Sequence, residues 1–559
     1  MNIKEQIVKC INFDFSSLDI NVENLIIESI SADKGDYSLP CFAFAKLLKD
    51  SPMNIANQIK DSVKLGGLVD KCEVVAGYVN FFLNKEHISK EVLNNFDANS
   101  LKFQEGNGKV VCVDYGSPNL AKYLHIGHLK TLIVGESLCR LFEQFGYTVK
   151  RLNFIGDYGT PFGKIIGGLN RWGSLEDVEA RGNDALQEYY VKFNAEEANN
   201  PELTQVARDI FKKIEDKDKE VYPTYQKVIE IGLKEANRMF KILGVEFDDS
   251  RGEMFYNDLV PNVIEQLKEK NLLIESEGAQ VVKLEDFDLT DAVILKSDGT
   301  TIYITRDISA AIDRHKDYNF DKLIYVTDVA QKLHFKQLFK VVELMGNEFA
   351  QNMEHMPYGR FSLPDGKISS RRGKQAVLVD LMEYVQEKAK EVIKGRKFEI
   401  ENPEDVVQKV VRAVLNYSVL KVERIKDCVF DPELAFSFEG ETAPYMLYTF
   451  TRLESILRKY EEKDVEADYS CLNVEAFEIV KAINDFKTTL KISLEKRDTS
   501  LIGKRVMDLC KMFNKFYTTT KVLDGNENTT KAKIQLVKAL KETLSVGFNL
   551  ICVDTLKEM

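Results

Sequence analysis

The 559-residue sequence has one tryptophan, six histidines, twelve prolines and 31 glycines, and no apolar run near the roughly 18 residues that a membrane-spanning helix requires. So little proline and glycine excludes collagen-like and mucin-like chains, and 44% hydrophobic with 29% charged residues excludes a wholly disordered one. The nine cysteines (10, 41, 72, 112, 139, 428, 471, 510, 552) include no CxxC and no Cys/His pair at metal-ligand spacing, so they read as reduced core thiols and no protein-bound zinc is expected. The opening MNIKEQIVKC has Glu5 where a secretory signal turns basic and then apolar, which points to the cytoplasm. Acid is in excess. A formal charge of −12 and pI of 5.4 make the whole-molecule field repel nucleic acid, so any nucleic-acid site must be a local patch.

The length exceeds the roughly 250 to 300 residues at which a single core stops growing, so several domains are expected. Residues 1–107 form a first unit: INVENLIIESI, FAFAKLLKD and MNIANQIKDSV have helical spacing, and EVVAGYVNFFLN reads as a strand pair broken at Gly77. After the polar joint FQEGNGK comes the β-rich run KVVCVDY (109–115), then a Gly/Ser/Pro/Asn loop, an amphipathic helix from about Ile126 to Gly146, and a second strand in TVKRLNFIGD. This β-loop-α-β order predicts a parallel sheet with a right-handed crossover. Residues 164–258 are helical and densely charged, as an insertion would be. VILK-SDGT-TIYIT predicts alternating strands around an Asp298-Gly299 turn, and KLIYVTD (322–328) a strand leading into a helix closed by Gly346. From residue 396 apolar positions recur at helical spacing, which predicts an all-α segment separable from the nucleotide site.

The most specific feature is His125-Ile126-Gly127-His128, between a strand and the start of a helix. Two histidines three apart share a face there, their ring donors can meet an anion, and the helix dipole adds positive potential; Gly127 lets a flat ring lie on the backbone. The bland alternative is a pair of capping or core histidines. A second cluster, Gly366-Lys367-Ile368-Ser369-Ser370-Arg371-Arg372-Gly373-Lys374, places four cations beside two glycines and two hydroxyls, which suits a triphosphate. By itself such a loop is more often a solvated basic loop.

Together, in this order, the two elements resemble the nucleotide-binding motifs of class I aminoacyl-tRNA synthetases. VDYGSPNLAKYLHIGHLKTLIVGESLCRLFEQFGYTVKRLNFIGDYGTPFG, YITRDISAAIDRHKDYNFDKLIYVTDVAQKLHFKQLF, FSFEGETAPYMLYTFTRLESILRK and the N-terminal GDYSLPCFAFAKLLKDSPMNIANQI are similar to arginyl-tRNA synthetases. The resemblance implies a multidomain α/β protein: a Rossmann-like parallel-sheet catalytic core (108–395), an N-terminal α+β domain (1–107) that contacts tRNA, and a C-terminal all-α bundle (396–559) that binds the anticodon. It further implies a monomer that acts, away from membranes, on ATP with Mg²⁺, L-arginine and tRNA(Arg).

Carried over by position, the resemblance places ATP at His125, Gly127 and His128, with Lys367, Ser369, Arg371 and Arg372 on its phosphates. It places the amino acid's polar end at Ser117, Asn119 and His128, and the guanidinium at Asp114, Tyr303, Asp307 and Gln331. A guanidinium offers five donors in a fixed fork, so carboxylates and a flat or hydroxylated partner suit it. Asp307 also reads equally well as the N-cap of a helix beginning ISAAIDRH. The family loop Lys-Met-Ser-Lys-Ser is here Lys367-Ile368-Ser369-Ser370-Arg371, without its second lysine; Lys122, just before the histidine motif, and Arg371 or Arg372 are equal candidates for that charge.

Between Lys481 and Lys541 there are 14 Lys/Arg against six Asp/Glu. That excess suits a phosphate-facing surface with Lys504, Arg505, Lys511 and Lys515 as contacts, and the resemblance adds Tyr445, Tyr448 and Arg452. In KMFNKFYTTTK the aromatics could stack bases, although for each the core is the commoner place. A small-molecule nucleotidyltransferase would share the histidine logic but has no need of a basic helical tail of roughly 160 residues. A catalytically idle relative would have no need of both histidines, Ser369 and the guanidinium-pocket residues.

Overall fold

A computed structural model describes residues 2–16, 18, 20–29, 34–297, 299–364, 376–394 and 402–557. The chain forms two compact units, one of Met1–Leu101, Thr449–Thr489 and Arg505–Val546, the other of Lys102–Tyr448, Leu490–Lys504 and Gly547–Met559.

The larger unit is built on a four-stranded parallel sheet in the spatial order Met353–Tyr358, Lys322–Asp328, Val110–Asp114, Thr148–Leu152. The β-branched run at 110–114 is buried on both faces, as parallel strands covered by helices are. The chain runs from Val110–Asp114 to Thr148–Leu152 on one side and later returns to Lys322–Asp328 on the other. The strand order therefore reverses between 110–114 and 322–328, and in open parallel sheets ligands bind in the crevice at the carboxyl ends of strands flanking such a reversal. Asp114 and Asp328 end those two strands.

The helix expected over 126–146 spans His128–Gln144 and is not amphipathic: thirteen of its seventeen residues are buried, because it packs on the sheet and against the Pro403–Leu420 helix. Gly135 allows the close approach of Tyr115, whose ring would lie 2.3 Å from a Cβ there. Glu136 on the same helix accepts from the Tyr115 hydroxyl at 2.9 Å, Arg140 Nε at 2.8 Å and Arg151 Nε at 2.9 Å, so its buried charge is fully used.

The insertion consists of helices Thr160–Trp172, Leu175–Arg181, Asn183–Glu197, Glu202–Glu215 and Tyr222–Leu243. Beyond it lies an antiparallel sheet of Leu273–Ser276, Ala279–Val282 and Ala292–Leu295. The strand expected through TIYIT is absent: Thr301 makes a single bridge to Leu295, and Tyr303–Tyr318 is a helix; Asp298 of the expected turn lies outside the described residues. Its Ile304, Ile308 and Ala311 recur at helical spacing into the core, and that burial overrides the local β preference of Ile, Tyr and Thr. Lys322–Asp328 leads into Lys332–Leu344, closed at Gly346 with φ +82°, as the sequence suggests.

Past residue 402 the described chain is helical except for the two-residue strand Cys428–Val429, which pairs with Phe361–Ser362. Part of it belongs to the sheet-bearing unit and part to the smaller one. Ser137 Oγ donates to the Leu550 carbonyl at 2.6 Å, Arg140 Nη1 to Asn549 O at 3.0 Å and Asn416 Nδ2 to Cys552 O at 2.7 Å, so residues 547–559 complete the sheet-bearing unit.

In the smaller unit the hairpin Val69–Val75/Tyr78–Leu83 turns at Ala76-Gly77 with φ of +50° and +81°, and Tyr37–Pro40 and Ile27–Glu28 extend it. INVENLIIESI gives only the short helix Val22–Leu25 before that edge strand. C-terminal helices pack in the same unit: Lys481 Nζ lies 4.0 Å from Asp36, and the Tyr469 hydroxyl bonds Asn94 and Gln535. No described helix is long and apolar enough to cross a membrane.

Candidate active site

The first strand ends at Asp114 and the backbone turns at once, with Gly116 at φ +87° and Ser117 at φ +45°. Left-handed geometry at a serine costs energy that the surroundings must over-determine. Here they do. Gly116 N donates to Thr131 Oγ1 at 3.1 Å, Thr131 Oγ1 donates to the Val326 carbonyl at 2.8 Å, and Ser117 N donates to the buried Asn153 at 3.1 Å. Thr131 thus clips the loop to the neighbouring strand across the reversal. Asn119 is exposed on this loop, and its side chain accepts from Ala121 N at 3.0 Å.

The histidine motif follows. Gly127 N donates to His125 Nδ1 at 3.0 Å, so that ring carries its proton on Nε2 and turns a donor outward. A Cβ at Gly127 would come within 3.1 Å of the same Nδ1. His128 Nδ1 lies 3.1 Å from the amide nitrogen and 3.0 Å from the carbonyl oxygen of His125, so this ring too is tied at Nδ1. Desolvation lowers the pKa of both imidazoles, for His128 against the hydrogen bond to His125, which favours its charged form. The shift favours the neutral imidazole at this helix N-terminus, where positive dipole potential also disfavours further charge. Lys367, Ser369, Arg371 and Arg372 lie outside the described residues. The chain that follows them is pinned to the motif: Leu378 N donates to Leu124 O at 2.7 Å, Ile126 N to Ala376 O at 3.3 Å, and Val377 bridges His125.

The acidic part of the site is built on the Tyr303–Tyr318 helix. Asp307 lies in its second turn and Ile302 is the N-cap residue, so the capping alternative for Asp307 is excluded. Instead Asp307 Oδ2 accepts from His334 Nε2 at 2.7 Å. Burial disfavours the charged imidazole, but the hydrogen bond and charge of Asp307 outweigh it and raise the His334 pKa. Tyr303, one turn before Asp307, is 68% exposed, and its ring meets the guanidinium of the buried Arg306 at 5.3 Å; Tyr158 stacks the same guanidinium at 4.4 Å. Arg306 Nε donates to Glu253 at 2.9 Å, and burial pushes the Glu253 carboxyl up to about 7. Gln331, exposed, closes the turn after Lys322–Asp328 and precedes His334 by three residues.

Asp114 is 3% exposed and its Oδ2 accepts from Arg314 Nη1 at 2.6 Å. Burial raises the Asp114 pKa, the Arg314 charge opposes this, and Asp307 raises it again, which places the two acids in one field. Asp114, Ser117, Asn119, the histidines, Asp307 and Gln331 thus all derive from the loops and helix beside the strand reversal. Sequence reasoning missed Arg314 and His334. Arg314 stands two turns after Asp307 and His334 is one of only six histidines, and those were the available signals.

The positions proposed for tRNA lie elsewhere. Lys504 and Lys515 are exposed and Arg505 and Lys511 half-buried. Tyr448 is exposed and Tyr445 half-buried on the Ala443–Lys459 helix; Arg452 donates to Asn514 at 2.5 Å and stacks over Tyr517 at 4.7 Å. Phe513 and Phe516 are core residues, while Tyr517 is 39% exposed.

Residues 90–432, which carry the parallel sheet, the histidine pair at its reversal and the acids beside it, match the family model described as tRNA synthetases class I (R), catalytic domain. Models for an arginyl tRNA synthetase N terminal domain and a DALR anticodon binding domain match residues 1–83 and 446–559. The arginine–tRNA ligases of Halothermothrix orenii and Clostridium botulinum are 39% and 40% identical to the chain, each over 100% of both sequences. The Thermus thermophilus arginyl-tRNA synthetase structure superposes with a TM-score of 0.80 at 23% identity over 96% of each chain; that of Plasmodium falciparum has a TM-score of 0.78 at 22% identity, over 100% of this chain and 98% of its own. The chain belongs to the arginyl-tRNA synthetase family.

Proposed function

We propose that this chain joins L-arginine to the 3′ end of tRNA(Arg) in the cytoplasm, as a monomer, in two steps. In the first, a carboxylate oxygen of arginine attacks the α-phosphorus of ATP, the bond to the bridging oxygen breaks, and pyrophosphate leaves. In the second, a hydroxyl of the tRNA's terminal ribose attacks the carbonyl carbon of arginyl-adenylate and AMP leaves. ATP would enter as its Mg²⁺ complex, the metal spreading phosphate charge.

The proteins matched over the full chain are arginine–tRNA ligases, which supports the reaction. The observation that carries the substrate choice is the pair of buried or half-buried acids, Asp114 and Asp307, beside two neutral histidine donors. Carboxylates select a guanidinium, and His125 Nε2–H and the His128 ring would donate to phosphate oxygens as charge builds on them. Catalysis here is positioning and charge stabilisation, with no covalent enzyme intermediate. Lys122 is exposed just before the motif, where its ammonium would reach the phosphates; Lys367, Ser369, Arg371 and Arg372 would supply the rest of the positive field. Gly127 would let the ATP approach the backbone. Ser117 and Asn119 would hold the amino acid's polar end, and Tyr303 and Gln331 would close on its side chain.

The DALR match supports tRNA binding by the C-terminal helices, with Tyr445, Tyr448, Arg452, Lys504, Arg505, Lys511 and Lys515 as the proposed contacts. Charging tested with purified tRNA(Arg) and a non-cognate tRNA should give arginine ester on tRNA(Arg) alone. Equal charging of both, or of neither, would refute the reading.

A further inference from the structure

The segment before the histidine motif is gripped by the helical insertion. Ala121, Lys122 and Tyr123 are each engaged by one helix, Asn183–Glu197. Gln187, buried, donates Nε2 to the Ala121 carbonyl at 2.9 Å. The Tyr123 hydroxyl donates to Asp184, and the Lys122 ammonium lies 6.0 Å from the centre of the Tyr190 ring, at the outer limit of a cation–π contact. Positions 184, 187 and 190 stand at three-residue spacing, so their side chains neighbour one another on the helix.

Two further links close the grip. Gly232 of Tyr222–Leu243 packs so tightly on Leu120 that a Cβ would lie 3.2 Å from both its Cβ and its carbonyl oxygen. Gly156 N donates to Pro118 O at 2.9 Å and Leu120 N to Gly156 O at 3.1 Å. The helix that starts just beyond, Thr160–Trp172, returns to Asn183–Glu197 through Gly168, where a Cβ would meet the Tyr189 carbonyl at 2.6 Å. Residues 118–123 are therefore held by a closed circuit of backbone and side-chain contacts. An exposed lysine on a loop stabilises developing charge only when its backbone is held in place.

We infer that the Asn183–Glu197 helix is a positioning element for Lys122, with Gln187, Asp184 (through Tyr123) and Tyr190 as positioning residues that set where its ammonium reaches. This rests on the proposed role of Lys122 at the ATP phosphates. The test is ATP–pyrophosphate exchange by the full chain at saturating arginine and tRNA, for Gln187→Leu, Tyr190→Leu and Tyr190→Phe, each with Lys122 present and in a Lys122→Ala background. Lys122→Ala should lower kcat at least about tenfold, and Gln187→Leu and Tyr190→Leu roughly tenfold with the arginine KM nearly unchanged. Tyr190→Phe, which keeps the ring, should match wild type. Without Lys122 the two disruptive changes should cost nothing more, since residues acting through one group are not additive with its loss. If Lys122→Ala lowers kcat while Gln187→Leu and Tyr190→Leu do not, the inference is wrong and the role of Lys122 stands. If both cost as much without Lys122 as with it, they support the fold rather than the lysine, and the inference is again overturned. A silent Lys122→Ala would remove the role of Lys122 itself and the inference with it.

Discussion

Arg314 and Asp114 form an ion pair of 2.6 Å between side chains 2% and 4% exposed, joining the Tyr303–Tyr318 helix to the end of the first strand. Neither charge could be left alone at that depth. Removing one partner of a buried pair strands the other, at a cost of about 3–5 kcal/mol. Arg314→Met should therefore destabilise the larger unit by about that much in denaturant unfolding. The double variant with Asp114→Asn should recover part of the loss. A change below about 1 kcal/mol for Arg314→Met would show that water reaches the site and that the pair is weak.

The His334–Asp307 pair predicts a pH signature. His334 has a folded pKa above its ordinary value, burial opposing and Asp307 more than restoring the charge. Such a group stabilises the fold fully below its unfolded pKa, near ~6.5, and loses that contribution as pH rises through the folded pKa. Asp307→Asn should thus cost more stability at about pH 5.5 than at about pH 9, and should lower the His334 titration midpoint followed by NMR. A cost independent of pH would mean the imidazole is neutral throughout.

His128→Ala should slow adenylate formation by roughly 10²- to 10³-fold, the usual loss for one donor to transition-state charge, and change ATP binding much less. Single-turnover kinetics separates the two. An effect confined to ATP affinity would make His128 a binding residue only.

Deleting residues 547–559 should lower the melting temperature of the sheet-bearing unit, because Ser137, Arg140 and Asn416 would lose partners on that tail. An unchanged melt would show that the tail is an appendage.

The parallel strand–loop–helix–strand start, the histidine turn and the helical insertion were legible because each rests on local pattern: β-branched runs, a Gly/Ser/Pro/Asn loop, charged helices. Pairings at long range were not. Asp114 and Arg314 are 200 residues apart, and no local signal links them. TIYIT was misread because five residues with β preference say nothing of the core that turns them into a helix. The basic excess over 481–541 is partly offset in space by acids that a count along the chain leaves out. Lys515, Lys538 and Lys541 lie 3.6, 3.6 and 2.9 Å from Glu475, Glu462 and Glu454, acids outside that window. Surface charge has to be counted in space.

The most direct test of the account is amino-acid-dependent ATP–pyrophosphate exchange in the presence of tRNA(Arg), run with arginine, lysine, glutamine and citrulline on the native chain and on Asp307→Asn. The account predicts exchange with arginine alone and rejection of citrulline by roughly 10⁴-fold, since a neutral ureido group lacks the charge and one of the amino donor groups that a guanidinium brings to the acids, with that ratio much reduced in the variant. Robust exchange with lysine or glutamine, or an arginine-to-citrulline ratio that Asp307→Asn leaves unchanged, would contradict it.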